Sequence, residues 1–491
     1  MKSLNEMARS LGLEAGAGAD VQIAELCMDS RKQEDHGLFF CISGAHFDGH
    51  AFARQAVEHG AVALVTEKPI SDLNVPQLIV DNSRVAMSIA ASAFYDHPDQ
   101  QMRLLGLTGT KGKTTTSYLI QGVLEQIGAP CGVIGTIGSY MGGKLLKSGL
   151  TTPDPIDLHK TLRVMADAGA EYVSMEVSAH AIAMHRLEGV HFETGCYTNL
   201  SQDHLDYFGT MERYFECKRS FIHSHFIRNA ALNADDEYTP RIRKTMDVPC
   251  LTYGICSPAD VMATDIEITE DGVSFVMRVL NTDQVPVRLQ LTGMFNVYNA
   301  LAAAAVCLNQ GLDPKDIAAA LGTVRSVPGR AEVLDTHTPY KVILDYSHSP
   351  DALENILKTV REFTRGRVIA LFGCGGDRDQ GKRPIMGEIG GRLADYCILT
   401  SDNPRTEDPF AILASVEKGI KRTQTPYTVI ENRREAIRHA LEMAAEGDVI
   451  VLAGKGHETY QEINGVKRPF DEKIVVAELL KEIEKGTSQE T

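Results

Sequence analysis

The sequence predicts an α/β protein of about three domains. The chain has 491 residues, too many for one hydrophobic core, and 43% of them are apolar, enough to fill several. Short aliphatic runs alternate with helical apolar spacing along its length, the pattern of strands each followed by a helix. At 104–117 it reads LLGLTGTKGKTTTS, an apolar strand and a glycine-rich turn, after which Tyr118, Leu119, Ile120, Val123 and Leu124 take up helical spacing. Expected boundaries fall at Pro98 and at Pro328-Gly329, giving 1–98, 99–330 and 331–491.

Within 1–98, GLFFCIS, AVALVTE and PQLIVD read as strands, and HAFARQAVEHG and SRVAMSIAASAFYDHP as helices. Asp29-Ser30-Arg31 and Asp48-Gly49-His50 stand beside these strands. Either cluster could seat a ligand's phosphates, or simply cap a helix and make a surface turn.

In the second stretch, Thr108, Gly109, Thr110, Lys111, Gly112, Lys113 and Thr114 form the loop between strand and helix. Its glycines permit a tight turn that aims N–H groups and a helix N-terminus at a polyphosphate, with Lys113 reaching the terminal phosphates and Thr114 meeting Mg²⁺. The loop departs from G-x-x-x-x-G-K-[ST], because Leu107 holds the first glycine position and the glycines stand at 106 and 109. The ligand-free alternative is an ordinary glycine-rich turn. AEYVSMEVSAH and HFETGCYTNL read as buried strands with polar exits: Glu176, Ser178 and His180 at the first, Thr198, Asn199, Asp203 and His204 at the second. If both strands neighbour the loop strand, these side chains converge on the phosphates, and Mg²⁺ ligation is favoured over ordinary hydrogen bonding. GMFNVYNALAAAAVCLNQG and DPKDIAAALGTV are helical; Asn296 and Asn299 near the start of the first could simply cap it.

The third stretch carries the strands KVILDYS, RVIALFG, YCILTSDN, YTVIEN and DVIVLAG, with helical spacing after each. Polar loops follow three of them: Asp345-Tyr346-Ser347-His348, GCGGDRD at 373–379 and AGKGHET at 453–459. Neither glycine loop is a dinucleotide fingerprint, since Arg378 and Thr459 hold the third glycine positions. The tail EIEKGTSQET is expected to fray.

Composition narrows the function. A formal charge of −16, from 49 basic against 65 acidic side chains, argues against a general nucleic-acid binder. Ten cysteines without a C-x-x-C pair fit reduced, packed thiols and suggest no zinc site. Without an apolar signal core or a membrane-length apolar run, a soluble cytoplasmic protein is expected. A triphosphate loop with acidic and imidazole side chains suits either an ATP-dependent ligase that activates a carboxylate or a mechanical or regulatory NTPase. Arg378 and Arg405 at strand exits favour the ligase, because they suit anionic small substrates for which a motor has no use.

These motifs resemble the Mur ligase family. The resemblance spans essentially the whole chain, through TGTKGKT (108–114), TTP (151–153), MEVSAH (175–180), TNLSQDHLDYFG (198–209), GMFNVYNALAA (293–303), PGR (328–330), DYSHSP (345–350), GCGGDRD (373–379), DNPR (402–405) and GKGHE (454–458). It implies a three-domain architecture in which an N-terminal domain holds the UDP end of the substrate, a central P-loop domain binds ATP, and a C-terminal Rossmann-like domain brings in the amino acid.

The reaction so implied belongs to peptidoglycan precursor synthesis. A carboxylate of UDP-N-acetylmuramoyl-L-alanyl-D-glutamate is phosphorylated by ATP, and an incoming amine displaces the phosphate. DNPR resembles the form found in members that use meso-diaminopimelate, with L-lysine as the alternative amino acid and a non-ligase NTPase as the alternative class. Carried over by motif, Ser30 falls on uridine, Thr151, Thr152, Ser178 and Arg186 on the dipeptide, and Lys113, Thr114, Asn296, Arg330 and Asp345 on ATP. Glu176, His204 and Lys218 fall on two Mg²⁺ ions, and with Lys113 make the catalytic set. Arg405, helped by Arg378, would take the distal carboxylate of diaminopimelate in the loop of Asp402, Asn403 and Pro404, with Gly454 and Glu458 at the distal amine. Arg405 could instead form a salt bridge within its own loop.

Lys218 in ERYFECKRSF reads from sequence alone as a water-facing helix lysine; the resemblance makes it a carbamate formed with CO₂. Two departures from the family are Met184, where many relatives carry Gln, and Ala179 in place of a frequent Ser. His348 is a candidate base for the attacking amine or a structural histidine. No protein partner is indicated.

Overall fold

The strand Arg103–Thr108 lies inside the largest sheet of the computed structural model, between Tyr172–Glu176 and Phe192–Tyr197 and parallel to both. Leu104, Leu105 and Leu107 are buried on its two faces, as a parallel strand covered by helices requires. The structure describes all residues except 15, 17–18, 33–34, 45–47, 270, 281–283 and 488–491.

The chain divides into two packed units. The first comprises Met1–Ala263, Met277–Val285 and Tyr298–Ala320; the second comprises Thr264–Val276, Pro286–Val297 and Leu321–Thr491. In the first, a four-stranded parallel sheet (Glu25–Cys27, Gly37–Phe40, Ala61–Thr66, Gln77–Ile79) packs against the helices Leu4–Ser10 and Ser83–Phe94 through Leu4, Met7, Leu38, Phe40, Val65, Met87 and Ala90. The larger sheet, of eleven strands, begins in spatial order with Lys144–Lys147, Gly138–Met141, Cys131–Gly135, Tyr172–Glu176, Arg103–Thr108, Phe192–Tyr197, Ile227–Asn233, Cys250–Gly254 and Val261–Thr269. Its first two strands are an antiparallel edge. The helix Lys113–Gln126 buries Leu119, Ile120, Val123 and Leu124, the spacing expected of it.

The second unit holds a six-stranded sheet in the order Glu332–Leu334, Lys341–Asp345, Val449–Ala453, Val368–Phe372, Tyr396–Leu399 and Tyr427–Val429, parallel except for its first strand. Separate apolar clusters cover its two faces, one built on Ile343, Leu357, Phe372 and Val451, the other on Leu344, Leu371, Ile437 and Leu452. The exits of Lys341–Asp345, Val449–Ala453, Val368–Phe372 and Tyr396–Leu399 therefore lie side by side at one sheet edge, the usual place for ligand loops in this topology. A hairpin, Tyr460–Ile463 with Val466–Pro469, follows.

The structure departs from the expected alternation of strand and helix in two stretches. Residues 138–147 form an antiparallel hairpin, and the strands Val261–Thr269, Gly272–Val279 and Gln284–Leu289 follow one another without helices among the described residues. The tail is not frayed through its first part: the helix Glu472–Thr487 persists, anchored by buried Val475, Val476 and Leu479, and 488–491 lie outside the described residues. Cys256 is exposed and Cys217 and Cys250 partly so, whereas the other seven thiols are packed inside.

Candidate functional site

Gly109 and Gly112 set the shape of the phosphate loop. Both take positive φ, 146° and 86°; a Cβ on Gly109 would lie 1.9 Å from Thr198 Oγ1, and one on Gly112 would lie 2.5 Å from Asn299 Oδ1. Only glycine fits. Thr198 and Asn199, at the exit of the neighbouring strand, brace the turn: Thr198 Oγ1 donates to the Lys111 carbonyl at 2.7 Å, while Asn199 accepts from the Thr110 amide on its carbonyl and the Lys111 amide on Oδ1, both at 2.9 Å. This corrects one expectation. The Thr110 and Lys111 amides donate to Asn199, which buttresses the loop, and so are not among the N–H groups the turn aims outward. Thr108 is buried at the strand end.

Two lysines meet at this loop. Lys113 Nζ donates to the carbonyls of Gly109 (2.8 Å) and Thr110 (3.0 Å), and Lys218 Nζ donates to the same Gly109 carbonyl at 2.8 Å. Lys218 does not face water as its helix alone suggested. It is 1% exposed, with its ammonium 4.7 Å from the centre of the Tyr214 ring, since Tyr214, Phe215 and Phe221 turn that side of the helix Met211–Phe221 into the core. Burial first, and the Lys113 charge second, push its amine well below the usual lysine range.

Glu176, 1% exposed, ends the strand on one flank of the loop. Its Oε1 accepts from Thr114 Oγ1 and the Thr136 amide, both at 2.9 Å, and its Oε2 accepts from Thr136 Oγ1 at 3.1 Å. On the other flank, His204 sits beside His180 (ring centres 4.8 Å) and Asp203 (3.6 Å); burial is the first cause that lowers its pKa, and the charges of Lys218 and Lys113 act in the same direction against Asp203. Glu176 and His204 thus flank the loop from its two neighbouring strands, the arrangement expected on the condition that those strands adjoin it. Among the described residues no three His, Cys, Asp or Glu side chains converge on a metal position.

Next to Glu176 lies a polar shelf. The Thr152 hydroxyl donates to the Glu176 carbonyl (2.8 Å) and accepts from the Ser178 amide (3.0 Å), and Thr151 Oγ1 is 3.2 Å from Thr136 Oγ1. Arg186 pairs with Asp154 at 3.0 Å and donates to the Thr152 carbonyl at 2.8 Å, while its remaining nitrogen meets Met184 Sδ at 3.5 Å. Ser30 follows the strand Glu25–Cys27 of the four-stranded sheet, where its buried hydroxyl donates to Gln55 Oε1 at 2.9 Å. Asp29 closes a turn onto Arg31, and Asp48 caps the 3-10 helix Gly49–Phe52, with His50 holding its carboxyl down at about 2. No helix starts at Ser30.

In the second unit Asn296 Nδ2 donates back to the Thr292 carbonyl at 2.8 Å, so it does tie down a helix start. Arg330 stacks over Tyr346 at 5.0 Å; Asp345 Oδ2 accepts from the Ala331 amide at 2.8 Å, and burial raises its pKa. His348 Nδ1 lies 2.9 Å from the Tyr346 carbonyl; donation there puts the neutral ring's lone pair on Nε2.

The three expected amino-acid loops come together at the exits of adjacent strands. Arg405 Nη1 donates to the Gly376 carbonyl at 2.8 Å, and its Nε lies 3.3 Å from Glu462 on the hairpin, so its ionic partner is not in its own loop. Arg378 is exposed and donates to the Asp377 carbonyl. The Gly376 amide donates to the Asn403 carbonyl and the Glu407 amide to that of Pro404, and Asp402 lies buried against the Gly454 backbone. Glu458 Oε2 accepts from Asn403 Nδ2 at 2.9 Å and from Lys455 Nζ at 3.1 Å.

Thr136, Asp154, Lys455 and Glu462 were missed by the sequence reading. Lys455 sat inside GKGHE and was the one with a visible signal; the others are ordinary residues whose role depends on which strands are neighbours.

Family models match this chain in order: the Mur ligase family catalytic domain at 22–95, the Mur ligase middle domain at 107–307 and the Mur ligase glutamate ligase domain at 329–456. The chain belongs to the Mur ligase family. It is 44% identical over 489 residues to the UDP-N-acetylmuramoyl-L-alanyl-D-glutamate--2,6-diaminopimelate ligase of Geobacillus thermodenitrificans, covering 98% of this chain and 100% of the relative. Against ligase 1 of that name in Clostridium acetobutylicum the identity is 43% over 467 residues, covering 94% and 96%. A solved structure of a UDP-N-acetylmuramoyl-L-alanyl-D-glutamate--2,6-diaminopimelate ligase superposes with a TM-score of 0.71 at 33% identity, over 98% of this chain and 99% of that one.

Proposed function

We propose that this chain is an ATP-dependent ligase that joins meso-diaminopimelate to UDP-N-acetylmuramoyl-L-alanyl-D-glutamate through an acyl phosphate. The observation that carries the reading is the joint presence of a braced phosphate loop flanked by Glu176 and His204 and, on the second unit, a loop cluster that sets a guanidinium beside a carboxylate. The names and identities of the relatives support the same substrates.

In this reading Lys113 and the helix N-terminus receive the terminal phosphates of ATP, and their positive field offsets charge that grows on the transferring phosphoryl group. Asn296, Arg330 and Asp345 belong to the nucleotide's binding set. The shelf of Thr151, Thr152, Ser178 and Arg186 orients the dipeptide so that a carboxylate oxygen attacks the γ-phosphorus and ADP leaves. Ser30 is assigned to the uridine end. The neutral amine of the amino acid then attacks the acyl carbon, a proton is lost, and phosphate departs; His348 Nε2 is the candidate acceptor of that proton.

The donor set suits Mg²⁺. The Glu176 carboxylate and the Thr114 hydroxyl, 2.9 Å apart, are hard oxygen donors on one flank, and His204 and Lys218 stand on the other. When bound there, Mg²⁺ would supply Lewis-acid stabilisation of phosphoryl charge. Hard ions that keep waters and bind substrate oxygens need few protein ligands, so the absence of a three-residue cluster among the described residues does not oppose the fit. A second ion needs more anionic oxygen than His204 provides. A carbamate on Lys218 would supply it, and burial, which lowers this amine's pKa, favours the neutral form that reacts with CO₂. Ten unpaired cysteines fit the cytoplasmic setting assigned here.

The test is phosphate release from ATP in the presence of UDP-N-acetylmuramoyl-L-alanyl-D-glutamate, scanned across amino acids. Release that depends on meso-diaminopimelate supports the reading; release indifferent to any amino acid would support a plain NTPase instead.

A further inference from the structure

Lys455 is 0% exposed, an uncommon position for an ammonium group. It is held by Asn403 Oδ1 and Glu458 Oε2, each at 3.1 Å, and lies 5.7 Å from the centre of the Tyr460 ring. These contacts fix more than the lysine. Asn403 Oδ1 also accepts from the Glu462 amide at 2.9 Å, so the oxygen has two donors and the amide orientation is determined; the nitrogen then must face Glu458, where it donates to Oε2 at 2.9 Å. Both donors to Glu458 bind the same oxygen. Its Oε1 has no hydrogen-bond partner among the described residues, and the side chain is 14% exposed.

The hairpin joins the same lattice. Gln461 Nε2 donates to the Asp402 carbonyl at 2.8 Å, the Arg405 amide donates to the Glu462 carbonyl at 3.0 Å, the Asn464 amide donates to the Arg405 carbonyl at 2.7 Å, and the Glu462 carboxylate pairs with the Arg405 guanidinium. Asn403 thereby links the loop of Arg405, the loop of Glu458 and the hairpin, and the buried ammonium is what satisfies its oxygen and neutralises Glu458.

We propose that Lys455 is a positioning residue for amino-acid recognition: its ammonium locks Asn403 to Glu458, so that Glu458 presents only Oε1 to the amine of the incoming amino acid. The proposal rests on the amino-acid-binding reading of this loop cluster. An ammonium is suited because three things must be met at once in a dry place: the second lone pair of Asn403 Oδ1, a carboxylate oxygen and charge neutrality. An apolar side chain of the same length meets none of them.

The experiment compares wild type, Lys455→Met, Glu458→Gln and the double variant, by steady-state kinetics on the full chain with each of the three substrates varied in turn. Lys455→Met is expected to raise KM for meso-diaminopimelate by 10-fold or more while KM for ATP and for the UDP-dipeptide stays within twofold. In the Glu458→Gln background, which removes the uncompensated carboxylate and keeps the variant folded, adding Lys455→Met should change KM for the amino acid by less than threefold, because the lysine acts through Glu458. If Lys455→Met raises all three KM values together, or if the two substitutions multiply independently, the positioning role is wrong. Wild-type turnover that ignores the amino acid would instead overturn the underlying ligase reading, so the two failures are distinct.

Discussion

Replacing Arg405 with lysine isolates the fork-shaped contact on which selectivity for diaminopimelate is proposed to depend. The backbone is not perturbed: residue 405 sits at φ 51°, and Arg and Lys carry the same cost there. What changes is the donor count. The guanidinium holds the Gly376 carbonyl at 2.8 Å through Nη1 and Glu462 at 3.3 Å through Nε, which leaves its second terminal nitrogen to meet a ligand carboxylate. A lysine is a single-point donor that cannot span these positions, so one charge-assisted hydrogen bond is lost, worth about 1.5 to 3 kcal/mol. That corresponds to about 10- to 150-fold in kcat/KM for meso-diaminopimelate. L-lysine lacks the distal carboxylate and should change by less than about threefold, so selectivity itself falls. Phosphate release measured with each amino acid over a concentration series gives both ratios. An unchanged ratio between the two substrates, even with lower absolute rates, would refute the assignment of Arg405 to the distal carboxylate.

Lys113→Ala should lower turnover by about 10³-fold or more, because it removes the charge facing the transferring phosphoryl. Chemical unfolding should move by about 3 kcal/mol or less, because the lost hydrogen bonds to the Gly109 and Thr110 carbonyls are offset in part by relief of the repulsion between Lys113 and Lys218; an active but destabilised variant would mean a structural lysine. Lys218→Ala should be nearly inactive and partly rescued by acetate or propionate, whose oxygens replace the carbamate; full activity without additive would exclude the modification. His159, 0% exposed with neither ring nitrogen hydrogen-bonded among the described residues, is pushed down to about 3 by burial. Its folded pKa lies below the unfolded value, so the unfolded chain gains the proton first: stability is unaffected above pH 6.5 and declines as pH falls from there toward 3, by about 2 kcal/mol at pH 5 from this group. His159→Leu should flatten that decline in urea titrations, and an unchanged pH slope would contradict the buried neutral imidazole.

The strand exits were legible because they depend on local pattern. Glu176 and His204 were placed beside the loop on the condition that their strands neighbour Arg103–Thr108, and the sheet order meets that condition. The burial of Lys218 was not legible from its helix. Spacing marks an apolar face but cannot say that the residue next to it is drawn onto a carbonyl of another segment, here Gly109, 109 positions away in sequence. The same limit hid Glu462 and Thr136. The run of strands at 261–289 escaped because its alternating burial is that of half-exposed strands, weaker than the continuous apolar runs that revealed the parallel ones.

The central claim is that a carboxylate oxygen of the substrate passes to phosphorus before the amide forms. UDP-N-acetylmuramoyl-L-alanyl-D-glutamate carrying ¹⁸O in its D-glutamyl carboxylates, turned over with ATP and meso-diaminopimelate and followed by mass spectrometry of the phosphate released, tests it directly. The account predicts one ¹⁸O in each phosphate and one fewer in the tripeptide product. Unlabelled phosphate with a fully labelled peptide would contradict it, because ATP would then have been hydrolysed by water rather than used to activate the carboxylate.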